Sequence, residues 1–510
     1  MLAAARKAAG HTQESLAGAL YMDRKTVIRW EAGDSAPWPY LWPKLARLLG
    51  VTPERLQALF EAGAERTEPV SPDSLDAACD WLDRRACWSP GTSRRKMAAR
   101  IARLNARGLY ERQTRRARIG RSQVVRALTD YYGDSESGFS LYGGELLGHR
   151  TATTILTCSE WLDLRCPLTP DDGDHLMTVV KPSSYDAPKL DSALARAAIE
   201  RLAEASVLDV RLMPAQLYRL LDIDAQAGKL SKTVDLVSFA EYALTADLLE
   251  GELLDTISNG TVAQQGILLL RDRYLPDLAS VVDLPDRACV GGVLALCAIA
   301  RPADAHRPTP DYALLVQKRS DQVLNAPGRL AVIPKGFHRP LADHRADAHI
   351  AATLRRELEE ELFGRADLDN TLGESRAADP MHHTRLSEPM RWLTESDALR
   401  MECTGFGLNL VSGNYEFACM ILIEDEEFWR RYGGHIEANW ETTGLRPYSS
   451  MDRSALTDLA ADESWSNEGL FALLQGLRRL GQLGDKRINL PLTETTVRPL
   501  EREVQLDQRA

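Results

Sequence analysis

Residues 12–17 read TQESLA and residues 23–33 read DRKTVIRWEAG, and these two stretches decide the fold of the first part of the chain. Thr12 is placed to cap one helix and Asp23 to cap the next, because short polar side chains accept hydrogen bonds from the free N–H groups of a first helical turn. Apolar residues recur at helical spacing after both caps, beginning with Leu16. The two stretches therefore predict two consecutive helices joined by a short turn.

The same helical spacing extends outward in both directions over residues 1–63. An earlier helix begins at Leu2, a leucine-rich helix ends near Leu49, and Thr52-Pro53 supplies a cap and a first-turn proline for a fifth helix. The sequence thus predicts a first domain, residues 1–63, that is a small all-α bundle.

This arrangement resembles the Cro/repressor-type helix-turn-helix family, also called the XRE type, over residues 2–60. The resemblance implies binding to double-stranded DNA, with the third helix lying in the major groove. Arginine and lysine pair with guanine edges, and threonine suits a base edge or a phosphate. In this family the residue that begins the second helix touches a phosphate, where the helix N-terminus favours an anion. The DNA contacts predicted in this way are Gln13, Arg24, Lys25, Thr26 and Arg29.

The charge of this first domain is modest. Residues 1–63 carry eight basic and six acidic side chains. Taken alone, the basic residues of the third helix also fit a plain solvated face of a helical bundle. If the domain binds DNA, its modest charge calls for a homodimer on a two-fold operator or for help from elsewhere in the chain, since the binding free energies of two half-sites add.

The composition of the whole chain bounds its class. The chain has 510 residues, 44% of them hydrophobic and 26% charged, and a net charge of −11, which is typical of a soluble globular protein of roughly three domains. The longest apolar run, Val290 to Ala300, is too short to span a bilayer, and no signal-peptide core follows the first charged residues. The eight cysteines form no Cys-x-x-Cys pair, which favours reduced thiols. We expect a protein of the bacterial cytoplasm and nucleoid that has no membrane contact.

A strongly basic segment follows the first domain. Within a predicted linker and connector, residues 64–125, the stretch 84–121 holds thirteen basic residues and one acid, Glu111. One interpretation is an auxiliary phosphate contact that strengthens DNA binding. The other is a set of arginine-rich helices whose charge is neutralised by the acidic remainder of the chain.

The middle of the chain, residues 126–285, predicts an α/β region of unknown role. Strand-like runs such as 153–156 alternate with helical patterns such as the one around Leu202. An aromatic-rich patch between Tyr131 and Trp161 fits either core packing or a ligand or dimer surface. No catalytic constellation stands out in this region.

The helix predicted from about Ala348 to Phe363 carries an acidic run beside its apolar stripe. At about 100° per residue, Glu357, Glu360 and Glu361 share one arc of the helix surface. Carboxylates near a helix C-terminus oppose the macrodipole, so a choice that costs local stability indicates function. Clustered carboxylate oxygens suit hard cations such as Mg²⁺.

Residues 286–485 resemble the Nudix family. Residues 356–361, RELEEE, fit the second half of the family motif, and residues 334–336, PKG, fit the turn that precedes it. The chain departs from the motif at Ala348, where the family has glutamate, and at Phe363, where the family has glycine.

The Nudix resemblance implies Mg²⁺-dependent hydrolysis of nucleoside diphosphate derivatives. The metal ligands it implies are Glu357, Glu360 and Glu361, the catalytic residues are Glu357 and Glu361, and the structural residues are Arg356 and Gly336. The two departures favour a domain that binds a nucleotide-type ligand without turning it over.

The sequence therefore predicts a multidomain chain. An all-α helix-turn-helix bundle is followed by the connector, the α/β middle region, an α+β Nudix-like domain and a tail, residues 486–510. The predicted function is a sequence-specific DNA-binding transcriptional regulator that is controlled by a nucleotide-type ligand. Two alternatives stay open: an active Mg²⁺-dependent Nudix-type hydrolase fused to a DNA-binding domain, and a C-terminal region that is only a dimerisation scaffold.

Overall fold

The computed structural model divides the chain into two compact units, residues 1–71 and residues 72–510. The first break lies close to the predicted boundary at residue 63, whereas the predicted boundaries at residues 125 and 285 lie inside the second unit. The structure describes residues 2–9, 11–20, 26–27, 30–31, 42–52, 56, 72–133, 138–169, 174–179, 190–213, 215–305, 307–365, 380–433, 436, 442–490 and 495–498.

Most of the described residues of the first unit are helical. Its helices are α1 (Leu2–Ala8), α2 (Gln13–Leu20) and α3 (Trp42–Leu49), and the pairs 26–27 and 30–31 are also helical. Leu16, Val27 and Trp30 are buried in one apolar cluster with residues of α1 and α3. This confirms the helical N-terminal region predicted from the spacing of those residues.

The second unit contains further helices of very different lengths. They are α4 (Pro72–Arg85), α5 (Thr92–Ile101), α6 (Ala106–Ala117), α7 (Arg121–Tyr132), α8 (Ser192–Val207), α9 (Phe239–Ala243), α10 (Leu248–Ser258), α11 (Leu269–Tyr274), α12 (Leu278–Val282), α13 (Ile350–Glu357), α14 (Glu388–Glu395), α15 (Glu426–Tyr432), α16 (Arg453–Ala461) and α17 (Asn467–Leu483). Among the described residues, none of these helices has both the length and the apolar character needed to cross a bilayer.

The strands of the second unit form one large sheet and one small one. The strands are β1 (Ser140–Leu146), β2 (His149–Thr157), β3 (Leu162–Pro167), β4 (Asp174–Val179), β5 (Gln216–Gln226), β6 (Lys229–Ser238), β7 (Gly291–Arg301), β8 (Asp311–Arg319), β9 (Leu330–Val332), β10 (Lys335–Phe337), β11 (Leu399–Asn409), β12 (Asn414–Ile423), β13 (Thr442–Ser449) and β14 (Thr495–Arg498). The large sheet runs β13-β8-β7-β12-β11-β2-β1-β14, and β4-β6-β5 form the small one.

The pairing of the large sheet crosses the regions that the sequence treats as separate. β2, from the middle region, pairs with β11, and β14, within the predicted tail, pairs with β1. The parallel pair β7–β12 lies at the centre and is buried along its whole length. The long helix α17 lies against this sheet, where its leucines join the core around Leu296 and Ala418. The middle and C-terminal regions therefore share one core.

The acidic helix differs from its prediction in one respect. α13 ends at Glu357 and continues as a π-helical turn, Leu358–Leu362, instead of an α-helix to Phe363. The wider π turn invalidates the spacing of about 100° per residue over this segment, because that angle holds only for an α-helix. π turns within helices occur frequently at functional sites.

Candidate functional site

In the first unit, a buried polar network joins the first two helices to Glu31. Arg6 donates from Nε to Glu31 Oε1 at 2.5 Å, and both side chains are less than a tenth exposed. Gln13, the first residue of α2, donates from Nε2 to Glu31 Oε2 at 2.7 Å. Although burial alone would raise the pKa of Glu31, the hydrogen bonds from Arg6 and Gln13 lower it. The carboxylate therefore stays ionised and fixes Glu31 against α1 and α2.

The structure describes two of the five predicted DNA contacts. Gln13 is half-buried at the start of α2, and Thr26 is half-buried beside the buried Val27. The other three predicted contacts, Arg24, Lys25 and Arg29, lie outside the described residues. Their roles remain predictions from the helix-turn-helix resemblance.

Several arginines of the basic connector have carboxylate partners inside the second unit. Arg116 of α6 donates from Nε to Asp255 of α10 at 2.7 Å, and Arg112 also bonds Asp255. Other pairs join these helices to α4, α8 and the loop before α17: Arg94 with Asp76 and Asp80, Arg100 with Glu200, Arg112 with Glu204, and Arg121 with Glu463. For these residues the second interpretation holds, because carboxylates of the same unit neutralise their charge.

In the second unit, a cavity of about 80 Å³ brings several of the predicted site residues together. Gly336, Glu357 and Glu360 line it. A Cβ atom on residue 336 would lie 2.1 Å from the carboxylate carbon of Glu357, so only glycine permits this approach. The predicted structural role of Gly336 thus has a steric reason in this fold.

Arg356 holds the backbone that follows Gly336. Its guanidinium donates to the carbonyl oxygens of Phe337 and Arg339, both at 3.0 Å, and to Glu357 Oε1 at 2.9 Å. The α-helical spacing predicts that Arg356 pairs with Glu360. The hydrogen bonds of Arg356 go instead to its neighbour Glu357, and Arg339 approaches Glu360 at 3.8 Å, while Glu360 contributes to the charge around Arg356.

The three predicted metal ligands face three different donors. Glu361 accepts the backbone N–H of Lys335 at 2.6 Å, whereas Glu357 and Glu360 face guanidinium groups. Among the described residues, no three side chains of histidine, cysteine, aspartate or glutamate are arranged to hold a metal ion. Mg²⁺ requires several oxygen ligands in near-octahedral arrangement. The donor set as arranged does not fit such an ion, and we derive no step through one.

Lys335, Glu416 and Glu468 belong to the same site, although the sequence did not single them out. Lys335 donates from Nζ to Glu468 Oε1 at 2.5 Å, and both side chains are buried. Burial and the charge of Glu468 raise the pKa of Glu416 to about 8. Burial alone would raise the pKa of Glu468 as well, but the charge of Lys335 and its hydrogen bond lower it.

A signal for Glu416 was present in the sequence. It is an acid inside the apolar run NYEFACMILI of residues 414–423, and a carboxylate in a wholly buried strand calls for a special environment. Lys335 and Glu468 are 133 residues apart in the chain, and neither stands in a pattern that predicts the other.

Comparison with known families assigns the first unit. Residues 2–56 match the helix-turn-helix family model, of the Cro/XRE type. This match covers only the start of the chain, and no curated protein matches the chain. The first unit is thus a helix-turn-helix DNA-binding domain. Its presence supports a DNA-binding transcriptional regulator as the function of the protein.

Proposed function

We propose that this regulator reads DNA with the helix predicted to begin at Asp23, which precedes α3. The protein would bind as a homodimer on a two-fold operator. The single observation that carries the proposal is the family match over residues 2–56. Arg24, Lys25 and Arg29 would contact base edges or phosphates, and Thr26 and Gln13 would position the helix on the backbone. The Arg6–Glu31–Gln13 network supports this role, because its hydrogen bonds fix the position of Glu31 against α1 and α2.

We further propose that the second unit is a Nudix-like sensor domain that binds the phosphate end of a nucleotide-type ligand at the small cavity. Four cationic side chains line this cavity: Arg211, Arg319, Lys335 and Arg339. Arginine and lysine are the usual partners of phosphate oxygens. Phe239 and Phe337, whose ring centroids lie 5.6 Å apart, form an apolar wall beside these cations.

The size of the cavity limits what it can hold. At about 80 Å³ it admits a phosphate-sized group, and a whole nucleotide needs far more room. The sugar and base would therefore lie outside this cavity or require its wall, which includes Leu324 and Asn325, to move. Such a movement would give the ligand a differential affinity for two states, which control of DNA binding requires.

A binding experiment tests the sensor. Thermal unfolding of the full-length protein would be followed with ADP-ribose, ADP and inorganic pyrophosphate, since a ligand that binds only the native state raises the melting temperature. We expect stabilisation by these anions, weakened in Arg211→Gln and retained in the matched surface variant Arg446→Gln, which lies exposed on β13. If the anions raise the melting temperatures of both variants equally, the small cavity is not their binding site.

The second candidate is the Mg²⁺-dependent Nudix-type hydrolase, which would require Glu357 and Glu360 to leave their arginine partners in order to bind the metal. The approach of Glu357 to Gly336 and the raised pKa of Glu416 in the same cavity favour it. Incubation of ADP-ribose with protein and Mg²⁺, followed by product analysis, separates the two functions. Turnover that disappears in Glu361→Gln establishes the hydrolase, whereas binding without turnover supports the sensor.

A further inference from the structure

A second and much larger cavity, of about 590 Å³, lies in the second unit. Its walls are α6, α8, α10 and the segment from Asp321 to Arg329. Cavities of 300–1,000 Å³ are the usual size of small-molecule sites in proteins. Leu324 lines this cavity as well as the small one, so the two share part of a wall.

The lining of the large cavity is predominantly acidic. Seven carboxylate side chains and four arginines face it. Most of these charges satisfy one another: Arg116 bonds Asp255 at 2.7 Å, and Arg201 bonds Asp247 at 2.7 Å. Arg329 donates to the carbonyl oxygen of Ile119 at 2.6 Å. The surplus of charge inside the cavity is therefore negative.

Two carboxylates on this wall are incompletely satisfied. Glu250 is half-buried, and no hydrogen bond to its carboxylate is formed within the described part of the chain. Asp247 is only 3% exposed, and its Oδ1 atom has no hydrogen-bond partner in the described part of the chain. Of the two, the half-buried Glu250 carboxylate is the one that a ligand in the cavity can reach, and a ligand with N–H donors would supply the hydrogen bonds it lacks.

The rest of the wall is apolar. Leu208, Leu248, Leu254, Leu270 and Leu324 line the same cavity. A ligand that fills it would place a hydrocarbon or aromatic body against these leucines and a cationic group against the carboxylates.

From this geometry we infer that the large cavity is a binding site for a small organic cation with an apolar body, whose ammonium group pairs with Glu250. The inference is independent of the nucleotide proposal, because it concerns another cavity and a ligand of opposite charge. It assigns a function to the acidic side of α10, which neither the helix-turn-helix domain nor the small cavity uses.

The ionisation of Glu250 adds a pH dependence. Burial, together with the charges of Asp247 and Glu468, raises the pKa of Glu250 to about 7, while Arg329 and Arg201 act in the opposite direction. An alkylammonium group resembles the lysine side chain and stays protonated across this range. Binding is therefore expected to strengthen between pH 6 and pH 8, where Glu250 becomes ionised.

Three indole compounds that differ only in their polar group test the site on the full-length protein. Tryptamine carries an ammonium group, tryptophol a hydroxyl and indole-3-propionate a carboxylate. We expect isothermal titration calorimetry to show tryptamine binding at least about tenfold more tightly than either of the others, as expected for a charge-assisted hydrogen bond.

Matched variants locate the interaction. Glu250→Gln keeps the shape of the side chain and is expected to remove both the preference for tryptamine and its pH dependence. Glu424→Gln, an exposed position elsewhere in the unit, is expected to leave both unchanged. Leu254→Trp fills the cavity and is expected to weaken all three compounds.

Three outcomes would overturn the inference: no binding of tryptamine, equal affinities for the three compounds, or an unchanged preference in Glu250→Gln. Circular dichroism of each variant verifies that it is folded. Since Glu250→Gln removes the charge of a half-buried side chain without adding volume, a folded protein is expected.

Discussion

The helix-turn-helix domain and the basic connector, residues 84–121, are the two regions whose sequences suggest DNA binding. The more strongly charged of the two is not the one that matches a DNA-binding family. Residues 1–63 have eight basic and six acidic side chains, whereas residues 84–121 have thirteen basic and one acidic. The family match lies on the weakly charged region. In the strongly charged region, carboxylates that are distant in sequence, such as Asp255 and Glu463, bind the arginines.

The difference shows that the net charge of a segment counts its charged residues but does not tell whether they are free to contact DNA. Arg116 and Arg121 count toward the basic excess, but their charges stabilise the packing of α6 and α7 against the rest of the unit. A phosphate contact requires an arginine that is exposed and lacks such a partner. Four predictions either break or sharpen this contrast.

The largest effect is expected in the helix-turn-helix domain. Replacing Arg24 and Arg29 together with alanine is expected to lower affinity for the protein's target site by about a hundredfold or more, because each base-edge contact contributes about 1–3 kcal/mol. A target site would first be selected from random DNA sequences with the native protein. The affinity of each variant for that site would then be measured by fluorescence anisotropy. Arg47→Ala removes an exposed cation from α3 of the same domain and should change affinity only a few-fold. If both variants behave alike, the recognition-helix assignment is wrong.

An intermediate effect is expected on the stability of the second unit. Asp255→Asn removes the partner of Arg112 and Arg116 and is expected to lower the free energy of unfolding by about 2–3 kcal/mol, somewhat less than for a fully buried pair. Glu111→Gln removes an exposed pair with Arg107 and should stay within about 0.5 kcal/mol. Chemical denaturation of both variants makes the comparison.

The stability difference between the native protein and Asp255→Asn is also expected to depend on pH. Although burial alone would raise the pKa of Asp255, hydrogen bonds from Arg116 and Arg112 lower it below its ordinary value of about 3.8. A depressed pKa means that the stabilisation is present above pH 3.8 and is lost as the pH falls through the folded-state value. The difference between the native protein and Asp255→Asn should therefore shrink in strong acid, and a constant difference would contradict the ion pair.

The smallest effect is expected from the arginines that the connector leaves without a carboxylate partner in the described part of the chain. Arg103, Arg115 and Arg118 are exposed. Replacing all three with glutamine is expected to change the slope of log K against log salt by less than about 1. Three phosphate contacts would change the slope by about 2.7. A change of that size would restore the connector as an auxiliary DNA-binding surface and break the contrast.

Features that depend on residues close together in the chain could be predicted from the sequence. Features that depend on contacts between distant segments could not. The spacing of Leu16, Val27 and Trp30 predicts the helical first unit, because helix periodicity is local. Glu357 and Gly336 lie against each other in the fold, but the roles that the Nudix resemblance implies for them stay predictions. The pairing of Lys335 with Glu468 and of Arg116 with Asp255 could not be predicted, since it depends on how distant segments pack.

The acidic helix shows a subtler failure. Its existence was predicted from the spacing of Leu354 and Leu358, both of which are buried. The orientation of Glu360 was not, because the π turn Leu358–Leu362 changes the angle between successive residues. Sequence periodicity carries no signal for one extra residue in a turn when the flanking apolar residues still reach the core.

The shared wall at Leu324 links the two proposed ligands by thermodynamics. If an occupant of one cavity displaces Leu324, the affinity of the other cavity changes by some factor, and reciprocity requires the second occupant to change the first affinity by that same factor. An organic cation and a nucleotide phosphate would then be read as a ratio of two concentrations. One leucine side chain would set how strongly the regulator weighs the two signals against each other.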